Sequence, residues 1–166
     1  MTLVSTDWLS ENLSKVKIFD ATWHMPNSKR DAYKEFLDQH IPGAIFWDLD
    51  EHSDKDSILP HMMPNSDYWT RMLWSFGIEN KDHIIIYDSS DLYSSCRFWF
   101  SLKYFGHQKV SILNGGFKKW LSEKKIVTNK THKIEQINSY KTHENFNLIK
   151  TKQQVTENIK KKSFIL

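Results

Sequence analysis

The segment His83-Ile84-Ile85-Ile86-Tyr87 constrains this chain more than any other stretch of it. A half-buried strand alternates apolar and polar residues, because every second side chain meets water. A run that is apolar at each position is suited to a strand covered on both faces, the situation of a parallel sheet packed between two layers of helices. Parallel neighbours cannot be joined by a tight turn and need a crossover, usually a helix. The flanking sequence should therefore alternate short apolar runs with helical periodicity.

It does so. Ser5 or Thr6 with Asp7 forms a helix start, after which Trp8, Leu9 and Leu13 recur at helical spacing. Lys17 to Ala21 is a compact run that leads into a polar loop containing Pro26, as a buried strand would. Asp31 to His40 carries Tyr33, Phe36 and Leu37 on one face, a helix that Ile41-Pro42-Gly43 must end, and Ala44 to Trp47 is a further strand. Ser66 caps a helix bearing Trp69, Leu73, Trp74 and Phe76, up to Gly77. Beyond the central run, Ser94 or Ser95 opens a helix through Phe98, Trp99, Leu102 and Phe105. Val110 to Leu113 is a strand, and a helix with Phe117, Trp120 and Leu121 follows Asn114-Gly115-Gly116. The expected class is α/β, an open, mostly parallel sheet with right-handed crossovers and helices on both faces. Asp48 to Asn65, polar and rich in turn residues, with Pro60 and Pro64 framing His61-Met62-Met63, is the long loop on which function would be carried.

With 166 residues, 39% hydrophobic, and seven Trp, the chain can fill one core well and not two. Its net charge of +3 is unevenly spread: 11 Lys and Arg face 16 Asp and Glu up to Gly116, and 12 face 4 beyond it. A basic arm can mark nucleic-acid binding. Of the 23 cations, however, only Arg30, Arg71 and Arg97 are arginines, the residue type that makes bidentate phosphate and base contacts, so nucleic acid is not the expected partner. The single cysteine, Cys96, excludes an internal disulfide, a CxxC pair and a cysteine-based zinc cluster. The start of the chain lacks a basic segment leading into an apolar run, and no window reaches the length of a membrane span. The expectation is a cytoplasmic protein, reducing in its surroundings, without membrane contact.

Past Lys124 the character changes, with Lys, Asn, Thr and His dominating and apolar residues sparse until Val155, Ile159 and Phe164-Ile165-Leu166. Three units are expected: a domain over residues 1–124, a linker over 125–150, and the start of a second domain over 151–166. In the last of these, Thr151 to Lys161 has helical spacing and Ser163 to Leu166 opens a strand, repeating the order at Ser5 to Ala21. An apolar strand at a chain end is an unpaired edge, which makes the sequence read as a piece of a longer protein.

The stretch Phe36-Leu37-Asp38-Gln39-His40-Ile41-Pro42-Gly43-Ala44 resembles the first signature of the rhodanese family. Around it Val4 to Leu9, Phe19 to Trp23, Pro60 to Pro64, Ile86 to Asp88 and Phe105 to Phe117 are similar, in order, to the N-terminal domain of the two-domain thiosulfate and 3-mercaptopyruvate sulfurtransferases. The resemblance implies that a Cys of the second domain is the nucleophile and passes sulfane sulfur from a small anionic donor to a thiol or cyanide through a persulfide. No cofactor or metal is implied. The family places that nucleophile in the loop after the central strand; here the loop begins Asp88-Ser89-Ser90-Asp91, whose carboxylates cannot attack sulfur, as in a first repeat that does not carry out the chemistry. Asp50 and His61 match the acid and the His that, in mercaptopyruvate sulfurtransferases, orient and deprotonate groups beside that Cys. The thiosulfate branch commonly lacks the His, which favours 3-mercaptopyruvate as donor. Chemically the pairing is sound, since a carboxylate fixes an imidazole tautomer and raises its basicity.

Other residues have plainer readings. Cys96 is expected as a small buried hydrophobe, with an activated thiol beside Arg97 as the alternative. Asp48, Asp50, Asp54 and Asp56 lack the Gly and terminal Glu of a calcium loop and read as solvated. His40 is expected to brace its turn by hydrogen bonds, and the seven Trp to be core. Trp47, Leu113, Asn114 and Lys119 depart from the family's two signatures. Two alternatives to a sulfurtransferase half remain open: a free-standing, non-catalytic binding module, and a thiol enzyme using Cys96.

Overall fold

In a computed structural model, which describes residues 2–164, the chain forms a five-stranded sheet and six α-helices. The strands are β1 (Leu3–Val4), β2 (Lys17–Asp20), β3 (Ala44–Phe46), β4 (Ile84–Tyr87) and β5 (Val110–Leu113), in the order β1-β5-β4-β2-β3, each neighbouring pair parallel. The helices are α1 (Thr6–Asn12), α2 (Ala32–Asp38), α3 (Ser66–Ser75), α4 (Ser95–Tyr104), α5 (Gly116–Ser122) and α6 (Lys152–Lys161). The α/β class and the helix-covered parallel sheet are as the sequence predicts.

The central run explains itself in this frame. All four residues of β4 are fully buried, because alternate side chains enter two different cores. Ile84 and Ile86 meet Trp69 and Leu73 of α3 and Phe98 and Leu102 of α4. Ile85 and Tyr87 meet Leu9 of α1, Phe36 of α2 and Phe117 and Trp120 of α5. Each such side chain withdrawn from water contributes about 1.5–3 kcal/mol.

Two local differences from the sequence reading have simple causes. The strand β1 is only two residues long, too short to show a period, and is held by Ile112 N–H to the Thr2 carbonyl (2.8 Å) and Asn114 N–H to the Val4 carbonyl (2.9 Å). The cap of α3 is Asn65, whose Oδ1 accepts from Tyr68 N–H at 2.8 Å, so Ser66 is the first helical residue.

Residues 125–150 have little regular structure, yet they are laid across the domain as a strap. His40 and Thr128 exchange both backbone hydrogen bonds (2.8 and 2.9 Å), and Tyr140 is 1% exposed in the core under α3 and α4, its hydroxyl 3.1 Å from His107 Nδ1. Gly106, at φ +88°, sits so close to the strap that a Cβ would lie 2.6 Å from the His143 carbonyl oxygen. Gly106→Ala is expected to cost about 1–3 kcal/mol of stability, from left-handed strain and displacement of the strap; a shift of the urea midpoint by less than the scatter between preparations would contradict the seating. Beyond the strap, α6 is capped by Thr151 and Gln154 in a reciprocal capping box. Of the strand expected at Ser163 to Leu166, Ser163 and Phe164 are irregular and tied to Asn158, and Ile165 and Leu166 lie outside the described residues. Among the described residues no helix is long and apolar enough to cross a membrane.

The strand order places the functional end. From β2 the chain crosses to β3 on one side, and from β4 it crosses to β5 on the other, so the loops after β2 and β4 leave in opposite directions. A crevice opens at such a switch point, beyond the carboxyl ends of the strands.

Candidate functional site

Three loops and one helix start meet at that crevice. The loop after β3 turns at once: Asp48 Oδ1 accepts from the N–H groups of Asp50 (2.8 Å) and Glu51 (3.2 Å), and Ser53 Oγ donates to the Leu49 carbonyl (2.6 Å). Asp54 N–H bonds the Met62 carbonyl at 2.9 Å, drawing the far limb of the loop back. The carboxylates of Asp48 and Asp54 are thus spent on loop backbone. The outcome is that Asp50 and His61, eleven residues apart, touch: His61 Nε2 lies 2.8 Å from Asp50 Oδ1.

Both oxygens of Asp50 accept, since the Trp23 indole N–H donates to Oδ2 at 2.9 Å. A carboxylate that accepts at both oxygens obliges His61 Nε2 to be the donor, which leaves the lone pair on Nδ1. Trp23, from the loop after β2, also sets its ring edge-on to the imidazole, 4.9 Å between centroids. Arg97, in the first turn of α4, donates to the His61 carbonyl and holds this residue in its left-handed conformation, φ +57°. Such a backbone in a non-glycine residue persists only where surrounding contacts impose it. The His61 side chain is 30% exposed and that of Asp50 65%, so the pair faces outward. Beside it, a cavity of about 300 Å³ is lined by Trp23, Arg30, Tyr33, Phe46 and Asp48 together with Asp50.

The loop after β4 has a different character. Asp88 is buried, its Oδ2 accepting from Ser95 N–H at 2.7 Å, and desolvation pushes its pKa up from the ordinary value. Ser90 and Ser94 bond each other (3.1 Å), and Ser94 Oγ accepts from Trp23 N–H (3.0 Å). The loop has an acid where the resemblance expects the cysteine, and a cavity of about 470 Å³ opens against it, lined by Asp88, Ser89, Ser90, Tyr93 and Cys96. Cys96 corrects the sequence reading: it is exposed, because α4 turns Ser95, Phe98 and Leu102 to the core and Cys96 away from it. Partial desolvation and the nearby Asp88 push its pKa up, while Arg97 is engaged with the His61 carbonyl.

His40 braces its turn as expected, Nδ1 donating to the Phe36 carbonyl (2.7 Å) with the ring stacked on Phe36. Of the seven Trp, Trp47, Trp69 and Trp120 are fully buried, Trp8, Trp74 and Trp99 are partly buried against the two cores, and Trp23, also packed on the core, carries its indole N–H out to Asp50 at the crevice. Its place in a loop, outside any helical stripe, was the available signal. Asp20, at the end of β2, is 4% exposed; Thr22 supplies N–H and hydroxyl bonds, and desolvation still raises its pKa to about 6. An Asp whose folded pKa lies above its unfolded value of about 3.9 binds its proton more tightly in the native state, so this group's contribution is present at low pH and is lost as pH rises from about 4 through 6. Asp20→Asn is expected to stabilise the chain by about 2 kcal/mol at pH 8 relative to pH 4, read as urea midpoints at the two pH values; equal shifts at both would overturn this.

The comparisons with known proteins bear on the family and the fold. A family model described as a rhodanese-like domain matches residues 5–123. The chain is 40% identical over 172 residues to thiosulfate sulfurtransferase of Bos taurus and 39% identical over 171 to 3-mercaptopyruvate sulfurtransferase of Mus musculus, covering 99% and 98% of itself. It spans 57% of the length of each of these relatives. Among solved structures, SseA of Escherichia coli, a 3-mercaptopyruvate sulfotransferase, superposes with a TM-score of 0.90 at 30% identity, over 98% of this chain and 63% of that one. Another relative, from Arabidopsis thaliana, is named as mitochondrial, so the comparisons do not assign this chain to the cytoplasm. A helix-covered parallel sheet, a family match over most of the domain and relatives aligned along nearly the whole chain lead to one conclusion: this chain belongs to the family of rhodanese-like domains, among the thiosulfate and 3-mercaptopyruvate sulfurtransferases.

Proposed function

We propose that this chain is the first, non-nucleophilic half of a two-domain sulfurtransferase that moves sulfane sulfur from 3-mercaptopyruvate, or thiosulfate, to a thiol or cyanide. The observation that carries the reading is the Asp50–His61 contact of 2.8 Å, at the mouth of a domain whose β4 loop has an acid in place of a nucleophile. A proton-handling pair without a nucleophile is half of an active site. In the full reaction a cysteine thiolate of the second domain attacks the donor sulfur, and the carbon–sulfur bond breaks with its electron pair leaving on the pyruvate enolate. The proton of the transferred sulfur passes to that enolate, with His61 Nδ1 taking it and returning it. The persulfide then yields its outer sulfur to the acceptor thiolate. General acid–base assistance of this kind is worth about 10²–10⁴ in rate.

The rim around the pair supports a partner domain in cis. Leu59, Met62, Leu92 and Tyr93 are exposed there, and Ile58 is fully exposed. The two relatives bear different donor names at nearly equal identity, 40% and 39%, so the preference for 3-mercaptopyruvate rests on His61. A reducing compartment, with the cytoplasm as the simplest choice, belongs to the same reading and is supported by the single thiol.

The test joins to this chain the part of the mouse 3-mercaptopyruvate sulfurtransferase that it does not cover. The chain alone is expected to give no pyruvate from 3-mercaptopyruvate and a thiol, and the fusion to turn over. Turnover by the chain alone, or a folded fusion that is inert with both donors, would reject the proposal; the second result would favour a non-catalytic binding module.

A further inference from the structure

We infer that Trp23 is a positioning residue of this site, clamping Asp50 so that His61 keeps its free lone pair on Nδ1, and that Ser94 of the loop after β4 holds Trp23 in place. The inference rests on the role proposed above for the Asp50–His61 pair and says what keeps that pair in register. A carboxylate on an exposed loop rotates about its last torsion unless both oxygens are tied. Here Oδ2 is tied to the indole N–H (2.9 Å), and only the orientation this fixes presents Oδ1 to His61 Nε2 at 2.8 Å. The edge-on ring contact at 4.9 Å restricts the imidazole from its side. Trp23 is anchored in turn: its backbone N–H donates to Ser94 Oγ at 3.0 Å, and Ser94 is itself buried and bonded to Ser90.

This gives the acid-bearing β4 loop work that its sequence does not announce. In this domain it is a buttress. Ser94 supports Trp23, and Arg97, three residues on in the same helix start, ties down the His61 carbonyl. Two loops that diverge at the switch point are thereby joined through side chains to the third, which carries the pair.

The tautomer of His61 reports the arrangement directly, through the nitrogen shifts of the ring measured on the chain in alkaline buffer. The intact chain is expected to show Nε2 protonated and Nδ1 bare. In Trp23→Phe, which keeps an aromatic ring and removes the N–H, the minor Nδ1-protonated form is expected to rise about fivefold, the worth of one net hydrogen bond. Ser94→Ala is expected to move the same way by less. A loss of ring volume alone would leave the tautomer ratio unchanged. An unaltered ratio in folded Trp23→Phe overturns the inference; if that variant does not fold, an unaltered ratio in folded Ser94→Ala does so. The readout needs no turnover, so a tautomer shift beside an inert fusion would uphold the clamp and reject the sulfurtransferase reading.

Discussion

Replacing His61 by Asn in the fused two-domain protein is expected to lower kcat/KM by about 10²–10⁴ and to leave the stability of the domain within about 0.5 kcal/mol of its starting value. The choice of Asn matters. His61 sits at φ +57°, a region that Asn tolerates and that costs Ala about 1–2 kcal/mol, so Asn removes the imidazole without refolding the loop. The amide can still donate toward Asp50, which separates loss of a proton acceptor from loss of the loop's shape. The side chain is 30% exposed and its ring meets the edge of Trp23, and Asn keeps a planar polar group in that place. The loss should fall mainly on kcat, since the proton moves in the transition state and not on binding. A variant that retains more than about a tenth of the activity would remove His61 from the mechanism and leave it a loop residue.

Trp47→Ala is expected to cost about 3–5 kcal/mol, a large part of the stability of a domain this size. Trp47 is 1% exposed and lies flat on Phe98 of α4, with centroids 4.3 Å apart and planes 11° apart, immediately before the turn that carries Asp50. Its removal empties the corner where β3, α4 and the functional loop meet. Trp47→Phe should cost less than about 1.5 kcal/mol, because the stack on Phe98 is kept and the indole N–H, buried without a partner, is removed with the smaller ring. Urea midpoints at constant m separate the two outcomes. Equal losses for Ala and Phe would mean that the ring stack contributes nothing. The same pair explains how the sequence can place Trp where the family signature has Phe or an aliphatic residue: the site demands a flat apolar group and makes no use of the N–H.

Much of the fold could be read because its signals are local. The run Ile84 to Tyr87 can be apolar at every position only between two cores, and Ser5, Asp31 and Thr151 announce helix starts through hydroxyl and carboxyl caps that act within three residues. The pair Asp50 and His61 was legible through its resemblance to a spacing. That the two touch was not, since it depends on Asp48 turning the loop and on Asp54 and Met62 drawing it closed. The strap shows the opposite limit. Residues 125–150 have no period, and one buried Tyr140 with a few backbone bonds decides that they lie on the domain.

By itself, then, the sequence determined the class of fold, the family resemblance and the acid-bearing loop directly after β4, because each follows from residue type in a local order. The tertiary structure alone decided the exposure of Cys96, the raised pKa of buried Asp20 and the meeting of Trp23, Asp50, His61 and Arg97. Those four come from two loops and a helix that are up to 74 residues apart in the chain and adjacent only where parallel strands end together. Hydrogen bonds between such groups depend on angles and tenths of an ångström, quantities that packing of the two cores fixes and that no local pattern of residues encodes.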